Sequence, residues 1–161
     1  MTTQKIYIAS DHGGTEGANL KKQLVEHLQA QGHDVEDLGP HDTQSVDYPD
    51  YAHKVAEAMR KSPTARGVLI CGSGTGMDMA ANKHDHIRAA VIHANENATE
   101  LTTLARTHNN ANVLCFGARF VTPETAKACV DTFMTTEREL GRHERRADKI
   151  TPPPTSRRVE A

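Results

Sequence analysis

From Val68 to Met77 the chain reads Val-Leu-Ile-Cys-Gly-Ser-Gly-Thr-Gly-Met, an apolar run that passes without a spacer into a glycine-rich turn. An apolar run this short, bounded by such a turn, is a buried strand, and a helical pattern resumes at Met77. Strand, glycine turn and helix in that order form the repeating unit of a parallel α/β sheet. Glycines alternating with hydroxyl residues let the backbone close on a ligand and aim several N–H groups at it. A helix N-terminus behind the turn adds the positive end of its dipole, which favours an anion. Cys71 ends the strand against this nest, where a thiol is expected to be acidified and to serve as base or nucleophile near neutral pH. The sequence therefore predicts a loop that stabilises a negatively charged intermediate while Cys71 moves a proton.

The turn is not a P-loop, because the Lys-Ser or Lys-Thr pair is missing. A dinucleotide fingerprint would be G-x-G-x-x-G after the first strand. Four further apolar runs repeat the alternation. A strand over 5–10 ends in Asp11-His12-Gly-Gly, and a helix is predicted over 16–31 with Gly32 as its stop. A second strand covers 33–38, and a helix over 51–60 is entered through Pro49 and Asp50. Beyond the loop follow a helix over 77–82, a strand over 87–93, a helix over 95–107, a strand over 111–116 and a helix over 123–135. This alternation predicts an α/β chain, a three-layer αβα sandwich around a five-stranded parallel sheet of order 2-1-3-4-5, Rossmann- or flavodoxin-like. Ligands of such sheets bind beyond the carboxyl ends of the strands, at the switch between strands one and three. That rule brings Asp11 and His12 to the loop of Cys71.

The character of the chain changes after Gly141. Residues 142–150 read as a short basic helix with Arg142 and Arg146 on one face. Two guanidiniums so placed suit a phosphate; the competing reading is a solvated face with Glu144 and Asp148 as local partners. His143 points off that face and is not assigned to the site. A single domain over 1–150 is expected, with 151–161 a proline-containing tail, either loose or draped over a neighbouring subunit. A net charge of -2 gives no reason to expect nucleic acid or a membrane surface. No apolar run approaches ~20 residues, and the N-terminus lacks a signal segment. Three scattered cysteines, at 71, 115 and 129, point to a reducing cytoplasm, with Cys115 and Cys129 as core residues. The ten histidines show no metal-ligand spacing and read as surface residues.

Ser10-Asp11-His12, Asp47-Tyr48-Pro49, the Cys71 to Gly76 loop, Ala80-Ala81-Asn82-Lys83, His108-Asn109, Asn112-Val113-Leu114, Gly117-Ala118-Arg119 and Gly141-Arg142-His143 follow one another in a telling order. The ordered set resembles the type B ribose-5-phosphate isomerase family, which also holds subunits of galactose-6-phosphate isomerase. The resemblance runs from residue 5 to about 150. It implies an aldose–ketose isomerase that interconverts ribose 5-phosphate and ribulose 5-phosphate through an enediolate. Cys71 matches the base, and the amides of Gly72, Ser73, Gly74, Thr75 and Gly76 match the anion hole, with the Ser73 hydroxyl as a partner. His108 matches the acid that opens the furanose ring. Asp11, His12 and Asn109 match sugar and phosphate contacts, and Arg119, Arg142 and Arg146 match residues that hold the phosphate. The resemblance further implies a homodimer or homotetramer with shared active sites, and no metal or organic cofactor.

Two departures from the family pattern stand beside the site. The segment between His12 and Leu20 is a few residues longer than the usual turn, which bears on sugar length or stereochemistry. Thr75 and Asp78 replace residues that are often apolar and small, and Asp78 is expected to cap the helix behind the loop. Tyr48 either borders the pocket or packs at a helix entrance. Isomerisation of another sugar phosphate (allose, galactose or a tetrose) and a non-catalytic sugar-phosphate-binding subunit are the alternatives, with a nucleotide-binding module third.

Overall fold

In the computed structural model, residues 3–154 are described. Five parallel strands, β1 (Lys5–Ser10), β2 (Asp34–Asp37), β3 (Arg66–Cys71), β4 (Ala89–Ile92) and β5 (Val113–Gly117), form one sheet. The helices are α1 (His12–Thr15), α2 (Leu20–Ala30), α3 (Tyr48–Arg60), α4 (Thr75–Ala81), α5 (Ala98–Thr107), α6 (Pro123–Thr135) and α7 (Arg142–Ala147). Side chains of a strand alternate between faces, so the apolar runs feed two cores. Ile6, Ile8, Val68, Ile70, Leu114 and Phe116 pack under α2, α5 and α6, whose Leu24, Leu28 and Phe133 are fully buried. Tyr7, Ala9, Leu69, Cys71, Val113 and Cys115 pack on the other face against Val55 and Met59 of α3 and Met77 of α4. The three-layer αβα class is as expected. The proline tail lies outside the described residues from 155 onward.

The sheet order is β2-β1-β3-β5-β4, so the last two strands exchange places relative to the expected 2-1-3-4-5. Burial accounts for the exchange. Every residue of β5 is buried, whereas three of the four in β4 are only half-buried, as suits an edge. Both orders satisfy right-handed crossovers, but they send α5 to opposite faces. Because the chain turns back from β4 to β5, α5 lies beside α6, on the face that α2 also covers. Helices then cover both faces of the sheet.

The helix predicted over 16–31 begins only at Leu20, behind a separate turn at 12–15. Gly17 has φ +55° and Asn19 φ 48°, both left-handed, so the chain makes a short turn α1, leaves it, and starts α2 anew at Leu20. The Asn19 side chain caps α2 by accepting the Lys22 N–H at 3.2 Å. Elsewhere the helices begin or end a few residues from the expected positions. Among the described residues no helix is long and apolar enough to cross a membrane.

Candidate active site

The carboxyl ends of β1, β3 and β5 meet at the Cys71 loop. Asp11 donates its backbone N–H to Ile70 O at 3.0 Å, Ala118 to Cys71 O at 2.9 Å and Arg119 to Gly72 O at 3.1 Å. These bonds stitch the ends of the three strands into one floor. Cys71 is 4 % exposed, and its Sγ accepts the Gly74 N–H at 3.1 Å. Gly74 stands at φ +80°, and a Cβ there would lie 2.9 Å from Gly117 N. Only glycine lets the loop fold back over the thiol and onto β5. The Ser73 Oγ accepts the Thr75 N–H at 3.3 Å, which shapes the turn into α4.

Around this loop stand three charged or titratable groups. The Asp11 carboxylate accepts the Gly13 N–H at 2.8 Å; burial pushes its pKa up, against the pull of that bond, His12 and Arg119. A Cβ on Gly13 would sit 3.0 Å from Asp11 Oδ1 and 3.1 Å from Gly72 N, so carboxylate and loop amide face a shared space. Arg119 lies over Gly72, whose added Cβ would meet its Nη1 at 3.2 Å. His12 accepts the Val46 N–H on Nδ1 at 3.4 Å, which assigns its hydrogen to Nε2 when the ring is neutral. Tyr48 closes the rim: its ring leaves no room for a Cβ on Gly76, 2.7 Å away. A cavity of about 270 Å³ opens beside Arg119, walled by Gly13, Glu16, Ala18 and Pro123.

Asp78 does not cap α4. The N-cap is Gly74, without a side-chain bond, and the Asp78 carboxylate instead accepts Asn82 Nδ2–H at 3.4 Å in the first turn. Burial lifts its pKa to about 6, opposed by His93. Cys115 is fully buried, and burial first, then Asp78 and Cys71, push its thiol well up; Cys129 is buried too, and burial likewise raises its thiol. Both are core residues, as their surroundings in the sequence suggest.

The remaining candidates gather at the opposite edge of the layer, along the amino ends of the strands. His108 is the C-cap of α5 and precedes β5, whereas Cys71 pairs with Gly117 at the far end of that strand. The rise from Val113 to Gly117 alone is about 13 Å. His108 stacks on His143 of α7 with ring centroids 4.0 Å apart and planes 6° from parallel. Glu139 Oε2 lies 3.4 Å from His143 Nε2. Arg142 and Arg146 extend from the same helix, and Asn109 lines a second cavity of about 310 Å³ with Arg88 and Ile150.

The sequence model of the Ribose/Galactose Isomerase family matches residues 6–150. The chain belongs to that family. A probable ribose-5-phosphate isomerase B of Mycoplasma pneumoniae is 47% identical over 146 residues, which cover 90% of this chain and 91% of the relative. The crystal structure of a ribose 5-phosphate isomerase of Thermotoga maritima superposes with a TM-score of 0.85 at 43% identity, covering 93% of this chain and 99% of that one. The structure of ribose-5-phosphate isomerase B of Mycoplasma genitalium, with bound ribulose-5-phosphate, gives a TM-score of 0.83 at 44% identity, covering 94% and 96%.

Membership in the ribose/galactose isomerase family makes the chain an aldose–ketose isomerase. One copy of this isomerase gathers Asp11, His12, Gly72, Ser73, Gly74, Thr75, Gly76 and Arg119 around Cys71, and leaves His108, Asn109, Arg142 and Arg146 an edge away. The sequence reading leaves out Glu139 and His143, because Glu139 lies in the irregular stretch before α7 and only the folded backbone brings its carboxylate to His143. Ligand atoms of His108, Glu139 and His143 lie within 4.8 Å of one another. Two parallel stacked imidazoles cannot both hold one ion in their ring planes, so the set as it stands is a stack and not a metal centre.

Proposed function

We propose that this chain interconverts ribose 5-phosphate and ribulose 5-phosphate, with Cys71 as the base. The observation that carries the reading is the Cys71 thiol under a glycine loop, with Asp11 and Arg119 beside it, in a chain of this family. Cys71 takes the proton from C2 of the open aldose and the electrons pass to the carbonyl oxygen O1; the hydrogen of O2 then moves to O1, the C2 carbonyl forms and Cys71 returns its proton at C1. The amides of Gly72, Ser73 and Gly76 face the enediolate oxygens, while those of Gly74 and Thr75 donate to Cys71 Sγ and Ser73 Oγ and shape the nest; preorganised donors of this kind contribute ~3–4 kcal/mol each. A positioned general base adds ~10²–10⁴-fold. The proton balance closes within substrate and protein, so the reaction calls for no redox cofactor.

His108, Asn109, Arg142 and Arg146 join this chemistry from a second copy of the chain. The edge-to-edge separation within one copy supports that arrangement: a two-fold pair turned end to end brings the His108 edge of one to the Cys71 edge of the other. The assembly is then a homodimer or homotetramer with shared sites, and the arginines hold the phosphate remote from the reacting carbons. Three free buried cysteines suit a reducing cytoplasm.

Isomerisation of ribose 5-phosphate, followed in wild type and Cys71→Ala, tests the reading. Pentose turnover that collapses in a folded Cys71→Ala supports both reaction and base; full activity in the variant removes Cys71 from the role. The cavity beside Arg119 favours a longer sugar phosphate as the second reading. A panel of allose, galactose and tetrose phosphates decides it, since turnover of one of these alone would keep the mechanism and change the substrate.

A further inference from the structure

We propose that His143, braced by Glu139, is the positioning residue that holds the His108 imidazole in the attitude from which it protonates the ring oxygen of a cyclic substrate. This rests on the reading of His108 as the ring-opening acid. Among the described residues no hydrogen bond orients the His108 ring. Its backbone is fixed, because its N–H donates to Leu104 O at 2.9 Å, but the imidazole beyond Cβ is held only by a face. That face is His143, 4.0 Å away and within 6° of parallel.

His143 is itself restrained. Its side chain is 13% exposed, and its Nε2 meets Glu139 Oε2 at 3.4 Å. The Glu139 backbone N–H donates to Thr107 O at 3.0 Å, one residue before His108. Thr107, Glu139, His143 and His108 therefore form a closed circuit, and the stacked pair cannot slide without breaking it. Burial, His108, Arg142 and Arg146 hold the His143 imidazole below its ordinary range, while Glu139 draws it up. His143, with its Nε2 beside Glu139 Oε2, presents a flat ring face to the acid.

In the step concerned, His108 gives its proton to the ring oxygen as the bond from C1 to that oxygen breaks. The C1 hydroxyl releases its proton to water as the carbonyl forms, so charge and atoms balance. Orientation matters because a small misplacement of a catalytic group can cost ~10²-fold in rate.

Ribulose 5-phosphate separates this step from the rest. Its 5-hydroxyl is esterified, so it has no furanose form, and exchange of its C1 hydrogen with deuterated water needs the base, the anion hole and the phosphate contacts but no ring-opening acid. For His143→Ala, isomerisation of ribose 5-phosphate should fall by ~10²-fold while exchange from the ketose is unchanged. His143→Phe, which restores a flat face, should recover most of the isomerisation. Exchange serves as the folding control. The proposal is overturned if exchange falls with isomerisation by the same factor, if neither falls, or if Phe is no better than Ala. His108→Ala, assayed alongside, tests the underlying acid: unimpaired isomerisation there would remove His108 from ring opening, a result distinct from any His143 outcome.

Discussion

At the scale of single residues, Asp78 is where pH meets stability. Burial lifts its carboxyl from 3.8 to about 6. Between those values the folded chain holds a proton that the unfolded chain has released. This contribution to stability is therefore present in acid and is lost as pH rises through the window to about 6. Asp78→Asn should stabilise the fold at pH 7, by an amount on the order of 1–2 kcal/mol once solvent screening is allowed for and with a higher Tm, and change stability little near pH 4. Thermal melts at the two pH values check this; equal shifts at both would show that the carboxylate is not the cause. Gly74 carries a different constraint, since φ +80° and the 2.9 Å approach to Gly117 N leave no place for a methyl. Gly74→Ala should cost ~1–2 kcal/mol through the left-handed backbone alone. The displaced amides should lower kcat by ~10²–10³-fold, more than stability loss explains, and steady-state kinetics on folded protein would show it.

Among the elements, α2 is the most exposed to test. Leu24 is fully buried under the sheet, so Leu24→Ala should lose ~2–5 kcal/mol. Asn19→Ala removes both the cap and a residue at ease in the left-handed region, and should lose about 1 kcal/mol. Urea unfolding of the two variants would rank them, and a smaller loss for Leu24→Ala would mean that the core closes over the gap. The break before α2 also shows where sequence reasoning reaches its end. The apolar spacing of Leu20, Leu24 and Leu28 announces the helix, but a left-handed Gly17 and Asn19 announce themselves only once the backbone is seen. The five strands were legible because each is a short apolar run closed by a turn. The order of β4 and β5 was not, because both orders obey the same handedness and the choice rests on which strand is buried on every side.

For the molecule as a whole, half of the candidate site was legible from residues alone. Asp11, His12 and the Cys71 loop end neighbouring strands at one edge, so topology unites them. His108, Asn109, Arg142 and Arg146 could be tied to Cys71 only through family resemblance, since nothing within one chain brings the two edges together. Activity should consequently fall on dilution below the dissociation constant of the pair, more steeply than protein concentration does, and recover on reconcentration. The same division has a hereditary side. With sites shared as proposed, each chain gives its base to one site and its arginines to another, so two differently crippled copies should repair each other. Cys71→Ala and Arg142→Ala, both silent alone, should on mixing and reassembly as dimers regain about a quarter of the wild-type sites. Two inactive alleles carried in one cell would then complement, and a defect at one edge would pass for a recessive trait whenever its partner was broken at the other.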